Sequence, residues 1–254
     1  MPSNTASFRE PAGPTADRPD LSAFGTYFPL RPLAGGHRNA VWLTEGKDGL
    51  FVAKSTRRSE DQLRWLAAPQ LAARRAGFVV PEMLSTWDGR FAPAQWTLEP
   101  FLPGPCAEQA DLARLAPQIA RFHTQTATLP QRPGFASLHD LAHKTRSGDL
   151  DLEVLPRDLC VALRSAWADV NDAPLCGIHG DIGRANIVMT DKGPALLDWD
   201  EARQDCAFLD GAAMMPLPAA QARAHLALEI ASCWQPEPEH AQTLLRAFSL
   251  SASE

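Results

Sequence analysis

Apolar and polar positions alternate over the first third of the chain and shift to a helical spacing afterwards. From Tyr27 to Lys54 the pattern is that of strands and tight turns. Ala40–Leu43 and Leu50–Lys54 read as strands flanking a turn at Glu45-Gly46-Lys47-Asp48-Gly49. Ser59 to Ala76, rich in Leu, Ala, Arg and Gln, predicts a helix that stops at Gly77 and kinks or breaks near Pro69. Met83–Trp87 and Ala94–Glu99, separated by a turn at Asp88-Gly89, read as two more antiparallel strands. Beyond Leu102-Pro103-Gly104-Pro105, Leu112, Leu115, Ile119 and Phe122 share one face of a helix over 111–125. Further helices are expected over 157–169 and from Gln221 onward. Between them lies a hairpin, Ile187–Met189 and Ala195–Asp198. Strands first and helices after predict an α+β fold of two lobes. Its parts are a polar, Pro-rich arm over residues 1–20, an N-terminal lobe over 21–102 and a C-terminal lobe over 103–254.

Composition narrows the class. The chain has 254 residues, of which 45% are hydrophobic and 21% charged, with a net charge of −6. These are ordinary values for a globular protein. The acidic balance argues against a dedicated nucleic-acid binder, which would carry a basic stripe. Five scattered cysteines without a C-x-x-C pair fit reduced thiols better than a disulfide framework or zinc site. With no signal-like start and no long apolar run, a cytoplasmic protein that does not enter a membrane is expected.

The chemistry concentrates in His179-Gly180-Asp181-Ile182-Gly183-Arg184-Ala185-Asn186, followed by Leu196-Leu197-Asp198. Phosphoryl transfer from a nucleoside triphosphate needs a carboxylate near the acceptor hydroxyl and oxygen ligands for the accompanying metal ion. Protein kinases supply an Asp, an Asn shortly after it and a second Asp on the next hairpin, in the order found here. Asp181 is the candidate base. Asn186 and Asp198 are the candidate Mg²⁺ ligands, being hard oxygen donors. His179 is assigned to support of the loop. Gly35 and Gly36, in Leu33–Val41, form a turn whose backbone N–H groups can approach phosphate oxygens, with Asn39 close behind. Lys54, at the end of the next strand, is positioned to reach the phosphates. In Thr97–Gly104, where the adenine would lodge, the Glu99 carbonyl and the Phe101 N–H are the candidate readers, because Pro100 has no N–H.

These residues together make the chain resemble the aminoglycoside phosphotransferase / choline kinase-like family of small-molecule kinases. The resemblance rests on Gly35–Ala40, Lys54, Val80-Pro81, Leu98–Gly104 and Ile119-Ala120-Arg121-Phe122-His123. It continues through His179-Gly180-Asp181 with Asn186, Leu197–Ala202, and Asp210-Gly211-Ala212 in place of an Asp-Leu-Ala. It implies a protein-kinase-like fold, ATP or GTP with Mg²⁺, and a small-molecule hydroxyl acceptor; a monomer or homodimer is expected. It further implies a phosphate-contacting Lys54, a catalytic Asp181 and metal ligands Asn186 and Asp198, with His123 packing beneath the site. The family pairs its strand Lys with a helical Glu. Here Gln62–Gln70 holds no acid, which leaves Glu60, Asp61 or Gln70 as the neighbours to consider. Asp200, Glu201 and Asp205 after the metal Asp suggest attraction of an ammonium group, hence an amino-alcohol or aminosugar acceptor. A nucleotide-binding pseudokinase is the alternative.

Overall fold

In a computed structural model of the protein, residues 18–33 and 39–250 are described. They divide into two units. The first runs to Arg58 and adds Glu82–Phe101; the second comprises Ser59–Pro81 and the chain from Leu102 onward.

The first unit is an antiparallel sheet of four strands in sequential order: β1 (Tyr27–Pro32), β2 (Val41–Gly46), β3 (Gly49–Ser55) and β4 (Trp96–Pro100). A two-residue loop, Lys47-Asp48, joins β2 to β3, and Gly49 leaves it at φ +130°, a region glycine enters without steric cost. One face buries Phe51, Ala53, Trp96 and Leu98 with Leu21, and Tyr27 meets Phe51 edge-on at 5.0 Å. Alternation along β3 sends Val52 and Lys54 to the opposite face. The expected strand over 83–87 does not form. Toward β4 it makes one ladder bond, Leu84 N–H to Leu98 O at 2.7 Å, while Leu84 packs on the sheet core. Thr86, Asp88 and Arg90 instead close a local turn through side-chain hydrogen bonds, which competes with strand pairing. The expected N-terminal arm lies outside the described residues up to position 17; Leu21 is already core.

The second unit begins with α1 (Glu60–Trp65) and α2 (Ala67–Ala76). Ser59 and Gln62 form a capping box at the start, and Gly77 ends α2 at φ +105°. The break falls at Leu66, so Pro69 occupies the first turn of α2, where no backbone N–H is needed. This pair was expected in the strand lobe. It groups instead with the helices, because Trp65 Nε1 and Gln62 Nε2 donate to the carbonyls of Pro130 and Pro133, and Arg121 donates to that of Ala76, each at 3.0 Å. The long α3 (Gln109–Thr126) buries Leu112, Leu115, Ile119 and Phe122, each contributing about 1.5–3 kcal/mol. After it come α4 (Leu138–Leu141), the small hairpin β5 (Arg146–Ser147) and β6 (Leu150–Asp151), and α5 (Arg157–Ala168).

The remaining elements carry and support the catalytic stretch: β7 (Leu175–Ile178), β8 (Ile187–Thr190), β9 (Gly193–Leu196), β10 (Arg203–Cys206), α6 (Phe208–Gly211), α7 (Ala219–Cys233) and α8 (Pro238–Leu250). The β8–β9 hairpin is held from both edges. On one side Met189 N–H donates to Pro105 O and Ala107 N–H to Ile187 O; on the other Val79 N–H donates to Pro194 O and Leu196 N–H to Val79 O. Gly104 is needed for the first of these approaches, since a Cβ there would sit 2.4 Å from the Met189 carbonyl. Among the described residues no helix is long and apolar enough to cross a membrane.

Candidate active site

Strand β7 delivers the His-Gly-Asp loop and β10 leaves the Asp198 turn, and the two pair antiparallel with Ile178 opposite Arg203. That register sets the two loops side by side. Gly180, at φ +83°, passes so close that a Cβ would lie 2.5 Å from the Glu201 carbonyl. No other residue fits there without movement.

The loop is cradled by Asp210, which is fully buried. Its carboxylate accepts the His179 N–H at 2.9 Å, the Gly180 N–H at 2.8 Å and His123 Nε2 at 2.9 Å. Burial acts to raise its pKa, but the hydrogen bond and charge of His123 and the His179 amide outweigh it and hold the carboxyl below the ordinary 3.8. His179 is buried too. Its Nε2 lies 2.8 Å from the Leu197 carbonyl, an acceptor only, so Nε2 carries the proton. Nδ1 then receives the Asp181 N–H over a long 3.4 Å, and the ring packs edgewise on Trp199 at 4.8 Å. One imidazole thus ties the residue before Asp198 to the backbone of Asp181.

Asp181 and Asn186 meet directly. The Asn186 Nδ2 donates to the Asp181 carbonyl at 2.9 Å and to Asp181 Oδ2 at 2.8 Å. With the NH₂ so committed, Oδ1 is the amide's remaining acceptor. The Asn186 carbonyl accepts the Leu197 N–H at 2.9 Å, which joins this loop to the approach to Asp198. Asp198 is one of three non-glycine residues with positive φ among those described (φ 59°, ψ 71°). Such a conformation costs about 1–3 kcal/mol and persists only where its surroundings dictate it. Arg132 is part of those surroundings. Nearly inaccessible to solvent, it donates through Nη1 to the carbonyls of Asp200 (2.7 Å) and Ala202 (3.0 Å) and through Nε to that of Gln62 (3.1 Å). The oxygen donors of Asn186 and Asp198 suit a hard divalent cation such as Mg²⁺.

In the first unit, Lys54 is half-buried on the sheet face opposite the core, in register with Val41 and Thr97. Asn39 is half-buried just before β2, and Gly35 and Gly36 lie outside the described residues. The adenine-reading assignment meets a correction. Phe101 N–H donates to the Leu50 carbonyl at 3.0 Å, continuing the β3–β4 ladder. Antiparallel alternation from that pair turns the Glu99 backbone groups toward Val52 as well. The Phe101 N–H therefore serves the sheet, while the Glu99 carbonyl keeps a second lone pair beyond the ladder.

Of the acids proposed to attract an ammonium group, Asp205 is wholly buried. It pairs with Arg203 at 2.8 Å and accepts the N–H groups of Leu138 and Cys206. Asp200 and Glu201 turn toward Asp149, their carboxylate oxygens within 4.8 Å of one another. Sequence reasoning passed over Asp210 as a site residue, although Asp210-Gly211-Ala212 marks it, and missed Arg132, which no local pattern distinguishes. Glu60, considered as a partner for Lys54, lies 3.9 Å from Arg64 one helical turn on.

The model of the phosphotransferase enzyme family (APH) matches residues 29–242. No curated protein matches the sequence. Among solved structures, choline kinase LicA from Streptococcus pneumoniae is similar at a TM-score of 0.62 and 13% identity, over 90% of this chain and 94% of that one. Aminoglycoside phosphotransferase APH(4)-Ia, solved with ADP and hygromycin B, aligns at 0.57 and 13%, over 91% and 96%. Amicoumacin kinase hAmiN, solved with AMP-PNP, Ca²⁺ and amicoumacin, aligns at 0.51 and 14%, over 87% and 71%. These likenesses carry the protein-kinase-like α+β fold, and with the family match over most of its length the chain belongs to the phosphotransferase enzyme family.

Proposed function

We propose that this phosphotransferase moves the γ-phosphoryl group of ATP to a hydroxyl of a small molecule, with Mg²⁺ as cofactor. The observation that carries the reading is the Asn186 amide locked onto the Asp181 carboxylate, with the loop backbone tied through His179 and Leu197 to the neighbour of Asp198. In the transfer, the acceptor oxygen bonds to the γ-phosphorus as the bond to the β-phosphate bridging oxygen breaks and ADP departs. Asp181 accepts the hydroxyl's hydrogen bond, aligns the nucleophile and takes its proton. Asn186 fixes the rotation of that carboxylate through Nδ2, so one oxygen is held and the other is presented. Asn186 Oδ1 and Asp198 would hold the cation, which neutralises charge on the β- and γ-phosphates when bound. Lys54 contributes a positive charge from the sheet face opposite the core.

The test is ADP release and label transfer from [γ-³²P]ATP across a panel of alcohols and sugars, wild type against Asp181→Asn. Turnover in the variant should fall by two to four orders of magnitude, as expected for loss of a general base, with ATP affinity nearly intact. Undiminished turnover would remove Asp181 from the reaction.

A further inference from the structure

The stretch that follows Asp198 is laced to a short irregular segment, Leu-Pro-Gln-Arg-Pro over 129–133. Two prolines cost this segment two N–H groups, and side chains supply donors in their place. The Gln131 amide pairs with the backbone of Gln204 as a strand would, accepting its N–H at 3.1 Å and donating to its carbonyl at 2.8 Å. Gln204 Nε2 answers with a bond to the Leu129 carbonyl at 2.7 Å. Arg132 Nη1 holds the carbonyls of Asp200 and Ala202. The same segment is moored on α1: Arg132 Nε donates to the Gln62 carbonyl, Gln62 Nε2 to that of Pro133 and Trp65 Nε1 to that of Pro130. All of these residues lie in the second unit.

We infer that Arg132 is a positioning residue for the metal ligand Asp198: it fixes the backbone that carries that carboxylate, and so sets the affinity for the divalent cation. The inference rests on the phosphotransferase reading and adds a residue to it. Asp198 caps the 3-10 turn Trp199–Glu201 with φ at 59°, a conformation that only its neighbours can enforce. One nitrogen bonded to the carbonyls two and four residues further on pins that turn. Arg132 is 1% exposed, and its guanidinium carbon lies 4.5 Å from the centroid of the Phe135 ring. An apolar side chain would fill the same space without the cost of taking a charge out of water. What the guanidinium adds is a planar fork with donors in fixed directions, protonated at every working pH. Stacked on Phe135 and tied to α1, the fork has little freedom left, and neither has the turn it holds.

The experiment is Mn²⁺ titration of the full chain with saturating AMP-PNP, free Mn²⁺ being read by its paramagnetic resonance signal, independently of turnover. Arg132→Lys keeps the charge and loses the fork. It should weaken Mn²⁺ uptake about tenfold, as loss of a ligand's outer partner does, while metal-free AMP-PNP affinity changes less than about twofold. In an Asp198→Gly background the same substitution should alter uptake by less than about twofold, because the carboxylate it positions is gone. Should Arg132→Lys fail to fold, Gln131→Leu, which frees Gln204 from the same segment, should weaken uptake roughly threefold, the scale of one net hydrogen bond. Unchanged uptake in Arg132→Lys, or in Gln131→Leu where that variant has to serve, would overturn the assignment and spare the phosphotransfer reading. So would an equal loss with and without the Asp198 carboxylate. No Mn²⁺ uptake by the wild type with AMP-PNP bound would overturn both.

Discussion

Removing the carboxylate of Asp210 should unfold the loop that carries Asp181 before it disturbs anything else. Three N–H groups converge on that side chain, from His179, Gly180 and His123. Asp210→Ala strands all three. Each bond to a charged acceptor contributes about 1.5–3 kcal/mol, but the His123 side chain retains 15% exposure and can recruit water. The expected loss is thus nearer about 3–5 kcal/mol, the range for breaking a buried charged pair. Against the ~5–15 kcal/mol that usually holds a domain folded, this is a large fraction. Asp210→Asn keeps the shape but turns an NH₂ toward one set of donors, and should cost about 1–3 kcal/mol. The acid limb supplies a separate sign test. The folded-state carboxyl is held below 3.8, so its stabilisation is complete above that value and is lost as the pH falls through the lower, folded-state pKa. The gap between wild type and Asp210→Asn should therefore narrow below about pH 4. Urea unfolding at several pH values, with m-values compared, measures both effects. A loss under about 1 kcal/mol for Asp210→Ala, or a gap that widens in acid, would refute the cradle.

Other consequences are simpler to check. Gly180→Ala forces a Cβ to 2.5 Å from the Glu201 carbonyl at φ +83° and should cost about 1–3 kcal/mol together with activity; an unchanged thermal midpoint would mean that the two loops separate freely. Asp198→Gly relieves a left-handed non-glycine residue, so stability should hold or rise while Mg²⁺-dependent protection by nucleotide disappears. Strong destabilisation of that variant would make Asp198 a folding residue rather than a metal ligand. Iodoacetamide at pH 8 should label exposed Cys106 in the native protein and spare Cys176 and Cys206 until denaturant is added. Burial raises both thiols, with nearby Asp210 and Asp205 adding to the effect, Cys176 to about 12. Rapid native labelling at either position would contradict the packing around β7 and β10.

The parts of the fold legible in the sequence are those where one period dominates. The β2–β3 hairpin, the apolar face of α3 and the β8–β9 hairpin all have clean alternation or clean helical spacing, bounded by turn residues. Strand β10 was unreadable because its sequence is Arg-Gln-Asp-Cys. Its two charges are buried against each other, and the hydropathy pattern scores them as surface. Residues 83–87 show the reverse error: good strand formers lost to side-chain bonds that close a turn. The spacing of Asp181 and Asn186 pointed to two side chains that the structure joins, because a short loop carries both ahead of a hairpin. The assignment of the Phe101 N–H failed because which backbone groups a strand spends on its neighbour depends on register. A single sequence does not contain that.

The clamp made by Arg132 ties together carbonyls at positions 62, 200 and 202. A chain released or cut before residue 202 would already contain Asp181, Asn186 and Arg132, yet it would lack the clamp's Ala202 acceptor and, with β10 and Asp210, the supports of the His-Gly-Asp loop. Truncated products of this gene should therefore be dead rather than half-working, and competence arrives in one step, late in synthesis.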